Sequence, residues 1–255
     1  MAVIVKLVQY IYSIYAMCVF LIFMFLLFPF VVLASFFGPI KAGNLVYSIC
    51  RLWADLTLFF WGMSHKNIYE APKITNEPVV FVFNHISYLD IPIIMKTLRH
   101  QPVRILGKAE MARIPIFGFI YRNAVIKVDR SSAEARAKSL AGLKLMLKKN
   151  ISVVVAPEGT FNMTHKPLKD FYNGAFNVAI EMQTPIQPIL FLDTYDRLNY
   201  KSVFSFTPGR SRSVFLKPIR VNDYSLQNME VLKQKVYEEM ESALIKYNAS
   251  WIKHV

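Results

Sequence analysis

His85 and Asp90, in the stretch FVFNHISYLD at residues 81 to 90, are the residue pair in this chain best suited to proton transfer. An aspartate fixed near an imidazole accepts a hydrogen bond from one ring nitrogen and so sets the tautomer, leaving the other nitrogen to act as a base. An alcohol is a poor nucleophile until its proton is removed during attack, and a histidine held in this way can take that proton and return it to a leaving group. The histidine follows an apolar run read as a strand. Its ring therefore emerges at a carboxyl end, where open α/β sheets place their ligands.

The same letters have a structural reading. Ser87 at an N-cap with Asp90 in the first helical turn resembles a capping box, which accounts for both residues without chemistry, though not for Asn84 and His85 at the strand exit. The two readings are compatible. Ser87 as an acyl-accepting nucleophile is the weaker option beside its capping role. Phosphate-loop, HExxH and GxSxG patterns are absent from the sequence. His65, His100, His165 and His254 lack metal-ligand spacing, and no metal is expected. Cys18 and Cys50 lie in apolar segments and read as reduced packing residues.

The elements that must position this pair are legible in outline. After Lys6 no charged residue occurs until Lys41, a stretch well beyond the roughly 18 residues that flag a membrane helix. It also exceeds the about 7 to 15 apolar residues of a signal peptide. As one helix it would be roughly 45 Å long, so it must tilt, kink near Pro29 or re-enter. The following segment, NLVYSICRLWADLTLFFWGM, carries Arg51 and Asp55 and reads as an amphipathic partner. Residues 1–66 are thus expected to form an N-terminal two-helix membrane anchor, and residues 67–255 a catalytic domain. Lys41, Arg51 and Lys66 follow the apolar stretch whereas Lys6 alone precedes it; this places the domain on the cytoplasmic side of an inner membrane.

Past residue 67 short β-rich runs alternate with helical stretches, the pattern of an α/β fold with a mostly parallel sheet flanked by helices. PVVFVFNH, VRILGK, the end of GFIYRNAVIKVDR, ISVVVAPEGT, TPIQPILFLD and SRSVFLKPIRV read as strands. DIPIIMKTLRH, SSAEARAKSLAGLKLMLKKN, GAFNVAIEMQ and the carboxyl-terminal SLQNMEVLKQKVYEEMESALIKYN read as helices. With 30 Lys and Arg against 17 Asp and Glu, the formal charge of +13 favours anionic partners. Nucleic acid is disfavoured by the apolar anchor and the lack of a reader motif.

Four ordered blocks between about residues 70 and 220 resemble the glycerolipid acyltransferase family, which includes 1-acylglycerol-3-phosphate acyltransferases. Asn84, His85 and Asp90 match its N-H-x-x-x-x-D block; Lys108, Pro115, Gly118 and Arg130 its second; Pro157, Glu158, Gly159 and Thr160 its E-G-T block; Pro185 and Pro188 its proline-bounded strand. The resemblance implies acyl transfer from acyl-CoA or acyl carrier protein to a lysolipid hydroxyl in phospholipid biosynthesis, with His85 as base, Asp90 orienting it and no cofactor beyond the donor. It further implies that Asn84, Lys108, Arg130, Glu158, Gly159 and Thr160 line the acceptor site, the cations taking a phosphate. The family's E-G-T-R becomes E-G-T-F here, with Phe161 in the arginine position and Lys166, Lys169 or Arg130 left to compensate. Phosphatidate formation is the leading expectation. Another lysolipid acceptor, or a non-catalytic protein that binds acidic lipid, is the alternative.

Overall fold

A computed structural model describes residues 2–129 and 132–253. Helix α1 (Ala2–Ser35) runs unbroken through Pro29, and Gly38 in a left-handed conformation followed by Pro39 at the first helical position starts helix α2 (Pro39–Phe60). The two lie antiparallel: Tyr15 reaches the carbonyl of Phe60, Phe20 packs edge-on to Trp53, and Trp61 donates to the carbonyl of Ala16. Among the described residues α1 is the one helix long and apolar enough to cross a membrane. Ala16, Val19, Leu27, Val31 and Ala34 form its buried stripe, while Ile11, Ile22, Phe25 and Leu33 stay exposed.

Helix α2 binds the rest of the chain through its polar groups. Asp55 pairs with Lys96 and Arg99, and Arg104 donates to the Ile40 carbonyl and to Asn44. Its buried side, including Val46, Trp53 and Leu58, shares one hydrophobic cluster with the sheet.

Seven strands follow among the described residues: β1 (Met63–Tyr69), β2 (Val80–Phe83), β3 (Val103–Lys108), β4 (Val125–Val128), β5 (Ser152–Val155), β6 (Ile186–Phe191) and β7 (Gly209–Phe215). They form one sheet in the order β1-β7-β6-β2-β5-β3-β4, in which only the β6–β7 pairing is antiparallel. The fold is the mostly parallel α/β architecture expected. Strand β1 was not anticipated and begins at Met63.

The helices between strands are α3 (Asp90–Thr97), α4 (Phe117–Ala124), α5 (Ala133–Lys148), α6 (Gly174–Glu181) and the single turn α7 (Thr194–Arg197), with α8 (Met229–Lys246) near the end. Alternation along the strands divides the core. Phe81 and Phe83 face the cluster built from α1, α2 and α3, whereas Val80 and Val82 face Leu143, Phe176 and Leu232 on the other side. At the start of α5, Ser132 accepts the Ala135 N–H as its N-cap.

Ahead of β4, which matches the expected strand at the end of GFIYRNAVIKVDR, the block carries a turn and a helix that the sequence left unassigned. A 3₁₀ turn (Ala109–Arg113) leads to Ile116, whose φ of 61° and the 2.6 Å bond from Phe117 N–H to the Pro115 carbonyl define a γ-turn. Gly118 then sits directly over the Ala112 carbonyl, where a Cβ would collide. That contact explains why residue 118 is glycine.

Candidate active site

Strands β2, β3, β5 and β6 are parallel, so their carboxyl ends share one edge of the sheet. His85 leaves β2 at that edge and Glu158 leaves β5 beside it. The His85 Nδ1 lies 2.8 Å from Asp90 Oδ2, with the histidine side chain 19% exposed and Asp90 fully buried. An ionised carboxylate can only accept, so Nδ1 carries the proton and Nε2 presents its lone pair. The same Asp90 oxygen accepts the main-chain N–H groups of Ile86 and Ser87, both at 2.9 Å. Asp90 therefore folds the loop and aims the ring with one atom.

The capping reading shifts: the helix begins at Asp90 with Leu89 at its N-cap and no side-chain cap bond, and the Ser87–Asp90 bonds close the turn just before it. Ser87 Oγ accepts the Leu89 N–H while Asp90 accepts the Ser87 N–H, a reciprocal pair one turn ahead of the helix start at Asp90. Ser87 further donates to the Leu198 carbonyl at 2.6 Å and is completely buried. It fastens the loop and is closed to an acyl donor.

Asn84 is not where the family resemblance implied. Its side chain donates to the Phe191 carbonyl at 3.1 Å and accepts the Phe191 N–H at 2.8 Å, and it is 1% exposed. Both ends of the amide are engaged in joining the ends of β2 and β6, so Asn84 supports the site instead of facing a ligand.

Glu158 is likewise buried. One carboxylate oxygen accepts the His85 N–H at 3.0 Å and the other the Lys169 N–H at 2.9 Å. Burial pushes its pKa up to about 7 against the opposing pull of those two amide bonds and the nearby Lys169 charge. Gly159 adopts φ of 70° and closes a turn by donating to the Ala156 carbonyl. Asn162 N–H then donates to the His85 carbonyl at 2.8 Å, so the E-G-T turn and the histidine loop are tied at two points.

Thr160 Oγ1 receives a 2.6 Å bond from the Lys169 ammonium. Sequence reasoning named Lys169 only as one of three compensating cations. Its approach depends on Asn162, whose side-chain amide binds the Lys166 and Pro167 carbonyls and curls the intervening loop. Phe161 sets its ring against His85 at 4.4 Å between centroids and against Tyr88 at 4.7 Å, while Phe83 flanks the imidazole at 5.6 Å.

Lys108 ends β3 at the same sheet edge, two strands away from β2, with its side chain exposed and its carbonyl held by Tyr121. Among the described residues its side chain forms no hydrogen bond or ion pair with the His85 cluster. Arg130 lies outside the described residues.

A buried carboxylate orienting a half-open imidazole at the carboxyl edge of a parallel sheet is an arrangement suited to general acid–base chemistry. The Acyltransferase family model matches residues 64–192, which contain every motif residue described above, and the chain belongs to that family. Among relatives, a 1-acyl-sn-glycerol-3-phosphate acyltransferase of Cocos nucifera is 27% identical over 82% of this chain and 64% of its own length. An uncharacterized acyltransferase of Schizosaccharomyces pombe is 31% identical over 73% of this chain and 70% of that one. The human 1-acyl-sn-glycerol-3-phosphate acyltransferase beta is 27% identical over 73% and 67%. This chain thus spans a little under two thirds of the coconut protein. The crystal structure of the 1-acyl-sn-glycerophosphate (LPA) acyltransferase PlsC from Thermotoga maritima has the same fold, with a TM-score of 0.73, 22% identity and coverage of 99% of this chain and 100% of that one.

Proposed function

We propose that this protein transfers a fatty acyl group from a thioester, acyl-CoA or acyl carrier protein, to the free hydroxyl of 1-acylglycerol-3-phosphate, forming phosphatidate. The observation that carries the reading is the 2.8 Å bond between His85 Nδ1 and Asp90 Oδ2, which frees Nε2 for a substrate proton. The names of the coconut and human relatives supply the acceptor.

In the reaction the acceptor oxygen attacks the thioester carbonyl carbon as Nε2 takes its proton. The Asp90 carboxylate stabilises the imidazolium so formed. Collapse of the tetrahedral adduct breaks the carbon–sulfur bond, and the departing thiolate takes the proton from Nε2. An ester and a free thiol result, His85 is regenerated, and no cofactor beyond the acyl donor is consumed.

Helix α1 would hold this site at a membrane. Its exposed apolar side suits the hydrocarbon, and the positive charges after it favour a cytoplasmic, inner-membrane disposition of the sheet. The lysolipid would then enter from the leaflet. The helices of residues 1–66 act as the anchor and residues 67–255 as the catalytic part in this proposal.

A second acceptor class has its own support, because the Phe161 ring beside His85 supplies no charge for a phosphate. An assay with one acyl thioester and a panel of lysolipids decides between them: 1-acylglycerol-3-phosphate as the preferred acceptor upholds the proposal, and a marked preference for a phosphate-free lysolipid overturns it. Parallel runs with acyl-CoA and acyl carrier protein identify the donor.

A further inference from the structure

Of the four cations that the sequence offers an anionic acceptor, Lys108, Lys166 and Lys169 lie among the described residues, and they differ in setting. The Lys108 and Lys166 side chains are exposed, without a contact that fixes them among the described residues. Lys169 is half-buried and fixed at both ends, its N–H on Glu158 and its ammonium on Thr160. Glu158 therefore holds the main chains of His85 and Lys169 one carboxylate apart.

The ammonium has three donors, and the bond to the Thr160 hydroxyl uses one. Among the described residues no carboxylate lies within ion-pair distance of it. A half-buried cation with two donors to spare and no ion-pair partner, held by Thr160 against the turn that abuts the candidate base, is arranged for an incoming anion. Phe161, the next residue of that turn, leaves the task to it.

We propose that the Lys169 ammonium, positioned by Thr160, binds the phosphate of the acyl acceptor and makes this site selective for phosphate-bearing lysolipids. The inference rests on the reading of the site as an acyltransferase centre acting on such an acceptor. The elevated pKa of Glu158 assists, since a carboxyl that is partly protonated at neutral pH repels the phosphate less. The lysine approaches from a loop eight residues past Phe161, so its cationic role is not part of the E-G-T turn itself.

The test compares wild type, Lys169→Gln and Lys169→Arg in the full chain, with 1-acylglycerol-3-phosphate and the uncharged 1-acylglycerol as acceptors and one acyl thioester. Glutamine can keep the Thr160 contact without the charge, and arginine keeps the charge. The expected result is a KM for the phosphate acceptor raised about tenfold or more in Lys169→Gln, little change in kcat or in use of 1-acylglycerol, and recovery in Lys169→Arg. Equal losses on both acceptors would mean a structural role and overturn the assignment alone. A wild-type protein that ignores the phosphate acceptor would overturn the acceptor reading and this inference together. Should Lys169→Gln not fold, the wild-type salt dependence decides: KM for the phosphate acceptor must rise with ionic strength while that for 1-acylglycerol stays level, and parallel behaviour refutes the proposal.

Discussion

The Phe161 ring meets the His85 imidazole edge-on, 4.4 Å between centroids at 63°. Asp90 fixes the imidazole through Nδ1, and the aromatic rings of Phe83 and Phe161 wall it, so its freedom to leave the Asp90 carboxylate is small. Replacing Phe161 with arginine exchanges this wall for a second cation beside Lys169. The expected outcome is a rise of about tenfold in the ratio of kcat/KM for 1-acylglycerol-3-phosphate over 1-acylglycerol, at some loss of kcat from a looser imidazole. An unchanged ratio in the two-acceptor assay would show that residue 161 does not face the headgroup.

Asn84 is expected to act on stability. Asn84→Ala leaves the buried Phe191 N–H and carbonyl without their partners and should lower stability by about 2–4 kcal/mol, read as a drop in Tm. The KM of the folded fraction should remain near wild type. A large increase in KM at unchanged Tm would mean that the amide contacts substrate after all.

Glu158 gives the protein a pH-dependent stability with a definite sign. Its pKa is 4.5 in a solvated carboxyl and about 7 here, so between those values the folded state holds a proton that the unfolded chain has lost. Stability contributed by that proton is present below about pH 4.5 and falls away as pH rises through 7, a change on the order of 3 kcal/mol. Glu158→Gln carries no titrating group, so the difference in Tm between variant and wild type should shift in favour of the variant across this interval. A pH-independent difference would show that Glu158 titrates in the fold as it does in the unfolded chain.

How far the sequence discloses this architecture depends on where the contacts lie along the chain. His85 and Asp90 are five residues apart, and the loop between them closes on their own main chain, so the pair is visible as a local pattern. The apolar run of β2 and the Ser132 cap of α5 are local too. Strand β1 escapes because MSHKNIY alternates at an edge and pairs with β7 from the far end of the chain. Helix α4 escapes because it is short and is entered through a γ-turn at Ile116 with no side-chain cap to announce it. Asn84 resembles a ligand-facing amide until Phe191, 107 positions away, is placed against it. The closeness of Lys169 to Thr160 likewise requires the curl that Asn162 imposes on the loop.

Membrane attachment through α1 is testable on its exposed side. Ile22→Lys with Phe25→Lys adds two charges to positions that the fold leaves uncovered, so packing should survive while insertion weakens by a few kcal/mol. The double variant is expected to move from the membrane pellet to the soluble fraction with its sheet intact by circular dichroism. Retention in the pellet at wild-type levels would locate the attachment elsewhere.

The most direct measurement is the single-turnover rate of acyl transfer from a thioester to 1-acylglycerol-3-phosphate for wild type, His85→Ala and Asp90→Asn, each confirmed to be folded. Loss of the imidazole should lower the rate by about 10²–10⁴-fold, with a large drop also in Asp90→Asn, where the amide no longer fixes the ring tautomer. Folded His85→Ala that transfers the acyl group at the wild-type rate would contradict the assignment of the base.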